Sequence, residues 1–328
     1  VTFPSLPQRS FSAVDGPATG TTNTYDGLGR RLLQKQDSEL GVLTTTTEYL
    51  SGFKRRVTNP RGHASTTEFQ AFDVPSEDTI RAVDLPAGIG IDIDRDIFGK
   101  PRSITRSGTW TGGSQSLSRR YVYDAYQRLC KTVEPESGAT VQAYDGANNL
   151  QWKASGLTLT SLVCDPGSVP ASRKVSYGYN ARNRLISTTY GDGSPSISRD
   201  WTADGLPSLV SSAGSTWTYG YNNRRLLKTE TLSYGGITYG FMWGIDSNGK
   251  VSSLSYPDGG NVAYSPNALG EPQAASGHAS SVRYHPSGAV AGYTLANGIV
   301  HSMTPNLRGL PETVREAGVV QDFYAYDA

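Results

Sequence analysis

The chain has 328 residues, and Lys+Arg 30 stand against Asp+Glu 29, so it lacks the basic footprint expected of a nucleic-acid binder. Gly 37 and Tyr 19 are high while Met 2 and Phe 8 are low, a composition of strands and turns. No run approaches the ~18 apolar residues of a membrane-spanning helix.

The opening residues, Val1 to Ser5, lack the basic and apolar regions of a signal peptide. The first motif is Tyr25-Asp26-Gly27-Leu28-Gly29-Arg30. Tyr49 and then Phe72-Asp73 follow at intervals of 24 and 23 residues, and Ile93-Asp94 comes next. A Gly/Ser-rich insert around Trp110 reads as a surface loop. Beyond it, Tyr123-Asp124-Ala125-Tyr126-Gln127-Arg128-Leu129 and Tyr144-Asp145-Gly146-Ala147-Asn148-Asn149-Leu150 repeat one pattern. A second insert, 155–172, also reads as a surface loop and precedes Tyr179-Asn180-Ala181-Arg182-Asn183-Arg184-Leu185.

From there the phase tightens. Trp201, Tyr221, Trp243, Tyr264, Tyr284 and Met303 are separated by 20, 22, 21, 20 and 19 residues. Thirteen motif starts fall between Tyr25 and Met303, with a fourteenth at Tyr326. A period in the twenties marks a repeat architecture. Within each unit, an alternating segment reaches a tight turn and returns, as in Val251 to Tyr264 around Pro257-Asp258-Gly259-Gly260. Asp192-Gly193, Gly235-Gly236 and Asn297-Gly298 supply similar turns. At the motif itself, Asp or Asn folds back on the following N–H groups, and the residue three further on takes a left-handed conformation. The motif is therefore turn chemistry with an aromatic anchor. The expected fold is all-β: tandem hairpins forming one long curled sheet, a single continuous array over residues 1–328.

Several groups invite a chemical reading. Asp92, Asp94 and Asp96 would share one face of a strand, but Ile97 and Ser103 stand where a calcium loop needs Gly and Glu. A solvated strand face is the better account. His63, His278, His285 and His301 have no zinc-ligand spacing. No nucleophile elbow, P-loop or dinucleotide fingerprint is present. The residues therefore point to no catalytic centre, metal or cofactor. Cys130 and Cys164 are either one disulfide closing a long loop or two small buried hydrophobes. Trp152, Trp201, Trp217 and Trp243 suit core or lumen-lining positions, whereas Trp110 is the candidate ligand contact.

The Tyr-Asp units, with Gly29-Arg30 and Tyr256-Pro257-Asp258-Gly259 as the clearest partial matches, resemble the Rhs or YD-repeat family over nearly the whole chain. That family includes bacterial polymorphic toxins, insecticidal toxin-complex components and teneurins. The resemblance implies a spiral of hairpins that forms a hollow shell around a toxic segment. Asp165-Pro166-Gly167 is too short to match the family's self-cleaving motif and reads as a turn. The absence of Asn-x-Ser/Thr sequons favours a bacterial source. Since the chain opens on Val1 and stops at Tyr326-Asp327-Ala328, it reads as part of a longer polypeptide.

The expectation is a non-catalytic wall segment of a secreted or cell-surface shell, partnered by further shell segments and an enclosed polypeptide. A glycan- or protein-binding adhesion module is the second reading. A self-assembling filament is the third.

Overall fold

A computed structural model describes residues 6, 8–12, 19–70 and 76–328. The Phe72-Asp73 motif and the opening Val1 to Ser5 lie outside the described residues. The fold is all-β, as expected. Strands from Arg9–Ser12 to Asn261–Ala263 make a 22-stranded sheet, and those from Ala279–Tyr284 to Val320–Phe323 make a 5-stranded one. Neighbours in sequence pair antiparallel, as where Ser215–Tyr221 meets Leu227–Tyr234 over seven residue pairs. Tight turns close one end of these hairpins. Gly235 and Gly236, at φ 59° and 77°, join Tyr234 to Ile237 in the two-residue turn that needs positive φ twice.

The other end carries a five-residue reversal that recurs twelve times among the described residues. It begins at Asp26, Asn59, Asp96, Asp124, Asp145, Asn180, Thr202, Asn222, Asp246, Asn267, His285 and Asn306. In the first copy the Asp26 N–H donates to the Arg30 carbonyl at 2.9 Å, and the Gly29 N–H to the Asp26 carbonyl at 3.1 Å. Asp26 Oδ1 then accepts from the N–H groups of Leu28 and Arg30, both at 2.9 Å. Those donors have no ladder partner, which is why a short polar acceptor opens the turn. The fourth residue takes positive φ, 79° at Gly29, and the strand pairing slips between Thr24 and Tyr25. This is a hairpin closed by a glycine-type bulge.

The observed turns shift the repeat phase read from the aromatic residues. Tyr49 lies next to the end of the strand Gly41–Leu50, before a short Ser51–Phe53 turn, and the motif falls instead at Asn59. Ile93-Asp94 is strand, and Asp96 opens the turn. Trp243, Tyr264 and Met303 each stand three residues before their turn, at Asp246, Asn267 and Asn306. The residues immediately before these turns are Ile245, Pro266 and Pro305, so the aromatic period runs out of step there.

The strands group into two compact units. The first comprises Val1–Glu68, Trp243–Ser255 and Gly259–Ala328. Within it Arg308 Nη2 lies 2.5 Å from Glu39 Oε1, and Arg61 Nη1 lies 2.6 Å from Asp327 Oδ2. The Arg308 hydrogen bond holds the Glu39 carboxyl below its ordinary range. The second unit comprises Phe69–Met242 and Tyr256–Asp258. Its buried cluster is Ala139, Val141, Ala154, Leu157 and Val169. In this unit Trp217 stacks on Phe241 at 6.3 Å, and Phe241 meets Tyr256 edge-on.

Four of the reversals place a side chain in the left-handed region: Gln127 (63°), Asn148 (66°), Asn183 (57°) and Arg225 (64°). Gln127→Gly and Arg225→Gly should each stabilise the fold by about 0.5–1 kcal/mol, because a Cβ is disfavoured there. Gly249→Ala should do the reverse. Urea unfolding midpoints of the three variants check the signs.

Candidate functional site

The turns are tied to one another. At six of them the residue before the turn is aromatic and its polar tip reaches the carbonyl just past the preceding turn, and Tyr326 makes the same contact beyond the last of them. Tyr123 Oη donates to Pro101 O (3.0 Å), Tyr144 to Leu129 (2.8 Å) and Tyr179 to Leu150 (3.1 Å). Trp201 Nε1 donates to Leu185 O (3.0 Å), and Tyr221 donates to Pro207 (2.8 Å). Tyr284 donates to Pro272 (2.6 Å) and Tyr326 to Pro311 (2.8 Å). Burial raises the Tyr123, Tyr179, Tyr221 and Tyr284 phenols, which keeps them neutral donors. Tyr264, outside this position, is held through its backbone N–H to Ser252 O at 2.9 Å.

Where the turn ends in an arginine, that cation adds a second tie. Arg30 covers the Tyr49 ring at 4.1 Å, Arg128 covers Tyr144 at 4.8 Å, and Arg184 covers Trp201 at 5.6 Å. Arg128 Nη1 also donates to Asn148 Oδ1 (2.8 Å), and Arg184 Nη1 to Thr202 O (3.1 Å). Burial alone would raise the Asp26 and Asp124 carboxyls. Hydrogen bonds from Arg30 and Arg128 outweigh it and hold both below the ordinary range. Asp145 is lowered chiefly by the Asn149 side-chain amide. A motif that reads as isolated turns is thus, at these positions, a linked edge in which one turn fixes the next.

The insert after Leu157 is not a loose surface loop. Cys130 and Cys164 form a disulfide across 34 residues, with a Cα–Cα distance of 5.3 Å. Next to Cys130, Lys131 is fully buried, and its Nζ donates to Ser161 Oγ (2.8 Å) and Asp165 Oδ2 (2.9 Å). Both partners come from the insert. Val169 joins the buried cluster, and Gly191 lets the Ala171 backbone approach so closely that a Cβ would collide with its carbonyl. Asp165, which reads in sequence as a turn residue, is therefore the counter-charge of the buried lysine. Hydrogen bonds from Ser161 and Lys131 lower its carboxyl.

The Trp110 insert is a hairpin rather than a loop: Pro101–Trp110 and Gly113–Tyr123 pair in eight places. Trp110 is 58% exposed at its tip. The indole lies against Gly112, where an added Cβ would come within 2.7 Å of Nε1. A groove beside it is lined by Arg106, Gln115, Leu117, Arg119 and Glu136, among others. The other tryptophans sit deeper. Trp152 lies beneath Lys174 Nζ at 4.1 Å, and Trp201, Trp217 and Trp243 are half-buried.

Asp92 and Asp94 are exposed on the strand Ile89–Arg95, while Asp96 caps its turn, so the three carboxylates do not share a strand face. His301 Nδ1 pairs with Glu316 Oε1 at 2.6 Å and stacks on Tyr293, and His285 Nε2 contacts Met303 O at 2.9 Å. The His63 N–H donates to Asn59 Oδ1 within its turn, and the His278 N–H donates to Ala275 O.

Reducing the disulfide should lower the stability of the second unit by about 4 kcal/mol, the chain-entropy value for a loop of this length. Asp165→Asn should destabilise the same unit by leaving Lys131 buried without a counter-charge. Asp165 titrates lower in the folded than in the unfolded chain. Its contribution is therefore complete at neutral pH and fades only as pH falls below about 4. Unfolding curves from pH 7 to pH 3, with and without reductant, test both statements.

No family model matches the chain, and no curated protein matches it. Among solved structures, a TcdB2-TccC3-Cdc42 crystal structure overlaps 90% of the chain at 9% identity and a TM-score of 0.49. A TcdB2-TccC3 crystal structure overlaps 96% at 13% identity and 0.46, and a Photorhabdus luminescens Tc holotoxin pore overlaps 91% at 12% and 0.44. The chain spans about a fifth of the length of each: 20%, 21% and 19%.

Proposed function

We propose that the chain is a non-catalytic wall segment of a secreted Rhs-type β-shell that encloses a polypeptide. The linked turn edge carries this reading. Many of the hairpins are tied to the next by an aromatic tip, as from Tyr144 to Leu129, or by a cation such as Arg128 over the following ring. Such ties give a continuous sheet rigidity along its edge, which a wall needs and a single binding domain does not. The Tyr-Asp resemblance supports the family and an exported setting, and the absence of Asn-x-Ser/Thr sequons supports a bacterial one.

The exposed area supports the same reading. Large side chains such as Leu28, Ile97 and Phe98 stand open to solvent. Surface left uncovered in the separate chain is what further shell segments or a cargo would cover. A continuous ladder also satisfies its own backbone, so such a wall resists proteases without a thick core.

Negative-stain electron microscopy of the chain across a concentration series tests the proposal. Curved, open plates of constant size are expected. Fibres that lengthen with concentration would make self-assembly the account, and compact round particles would reject a wall altogether.

A further inference from the structure

We propose that the hairpin Pro101–Trp110/Gly113–Tyr123 carries a saccharide site, built for a pyranose bearing a carboxylate. The seat is the space above Gly108, between the Trp110 indole and the Arg106 guanidinium. This site is independent of the wall reading, since it rests on the face of one hairpin within the second unit.

The geometry follows from the pairing. Trp110, Gly108 and Arg106 alternate along one strand and therefore share a face. Opposite them stand Gly113, Gln115 and Leu117. Residues directly across an antiparallel pair lie on the same face, so these six positions make one surface. Gly108 has no side chain, which leaves a gap between two large groups whose Cα atoms are about 13 Å apart at strand spacing. Ile89, on the neighbouring strand, and Leu117 give the gap apolar sides.

The chemistry of the rim selects the ligand. An exposed indole set on Gly112 and Gly113 offers a fixed flat surface, suited to the C–H face of a sugar ring. Gln115 offers an amide donor and acceptor for hydroxyl groups. Arg119 and Glu136 form an ion pair at 2.7 Å, which cancels their charges and leaves polar atoms at the rim. The Arg106 guanidinium, exposed and without an ion pair among the described residues, is the one uncompensated charge in the lining. Guanidinium binds carboxylate through two parallel hydrogen bonds. An aromatic platform, neutral polar groups and one cation together fit an acidic sugar better than a neutral one.

Saturation-transfer NMR on the full chain, with sialyllactose and digalacturonate as probes and lactose as the neutral comparison, tests the site. Both acidic probes are expected to bind, and lactose at least tenfold more weakly. Trp110→Ala should weaken the acidic probes tenfold or more. Arg106→Gln should bring them down to the level of lactose. Gly108→Val fills the seat, and the position has room for its Cβ, which meets only Ile89 Cγ1 at an ordinary 3.7 Å. It should abolish binding while leaving the melting temperature unchanged or raised. The proposal fails if neither acidic probe receives saturation at millimolar concentration, if binding survives Gly108→Val, or if lactose binds as well as sialyllactose.

Discussion

Each reversal of this chain must place one residue at positive φ and find an acceptor for two backbone N–H groups that the strands cannot use. The turn's first side chain supplies that acceptor, as Asp26 Oδ1 does for Leu28 and Arg30. Meeting both demands inserts one extra residue, and the resulting slip in pairing fixes where the next strand begins. The aromatic before the following turn then reaches the carbonyl just beyond the slip, as Tyr179 reaches Leu150. Local turn chemistry thus sets the spacing of the ties, and the ties carry order from one hairpin to the next. Where the aromatic is replaced by Ile245, Pro266 or Pro305, the residue at that position has no side-chain donor to make this tie.

The insert between Leu157 and Val175 follows a different rule. It closes over strand positions 130 and 131 by a covalent bond and an ion pair set side by side. A buried ion pair is costly to desolvate, and its geometry here leaves the ammonium with two oxygen partners. The disulfide, the ion pair and the Val169 packing all hold the same short segment. That makes this the point where the sheet acquires a true interior, since Ala139 and Val141 are buried beneath it.

Much of the fold was legible from period, turn residues and composition, because hairpins depend on neighbours in sequence. The phase was less so. Reading the repeat from bulky residues placed the motif at Tyr49, Ile93 and Trp243, although these lie within or at the ends of strands. The turn's own requirements, a short polar residue followed three later by Gly or Asn, mark Asn59, Asp96 and Asp246 without help from an aromatic. The pairing of Lys131 with Ser161 and Asp165 had no sequence signal at all, because it spans 30 and 34 residues and obeys no period. The exposed Trp110 was legible as an outlier in a Gly-rich stretch. Its groove was not, because it depends on cross-strand partners that only the register reveals.

The same insert has a consequence for how the chain is made. Nearly every other contact joins strands that follow one another, so as the polypeptide emerges each hairpin can form as soon as its second strand appears. Lys131 cannot be settled in that way. When its strand is synthesised, the ammonium has no counter-charge, and Cys130 no partner thiol, until some thirty further residues have been added. Growth of the sheet is vectorial on either side of this point and waits at it. Two side chains that end up buried, Cys130 and Lys131, are therefore left incomplete during synthesis until the insert has been made.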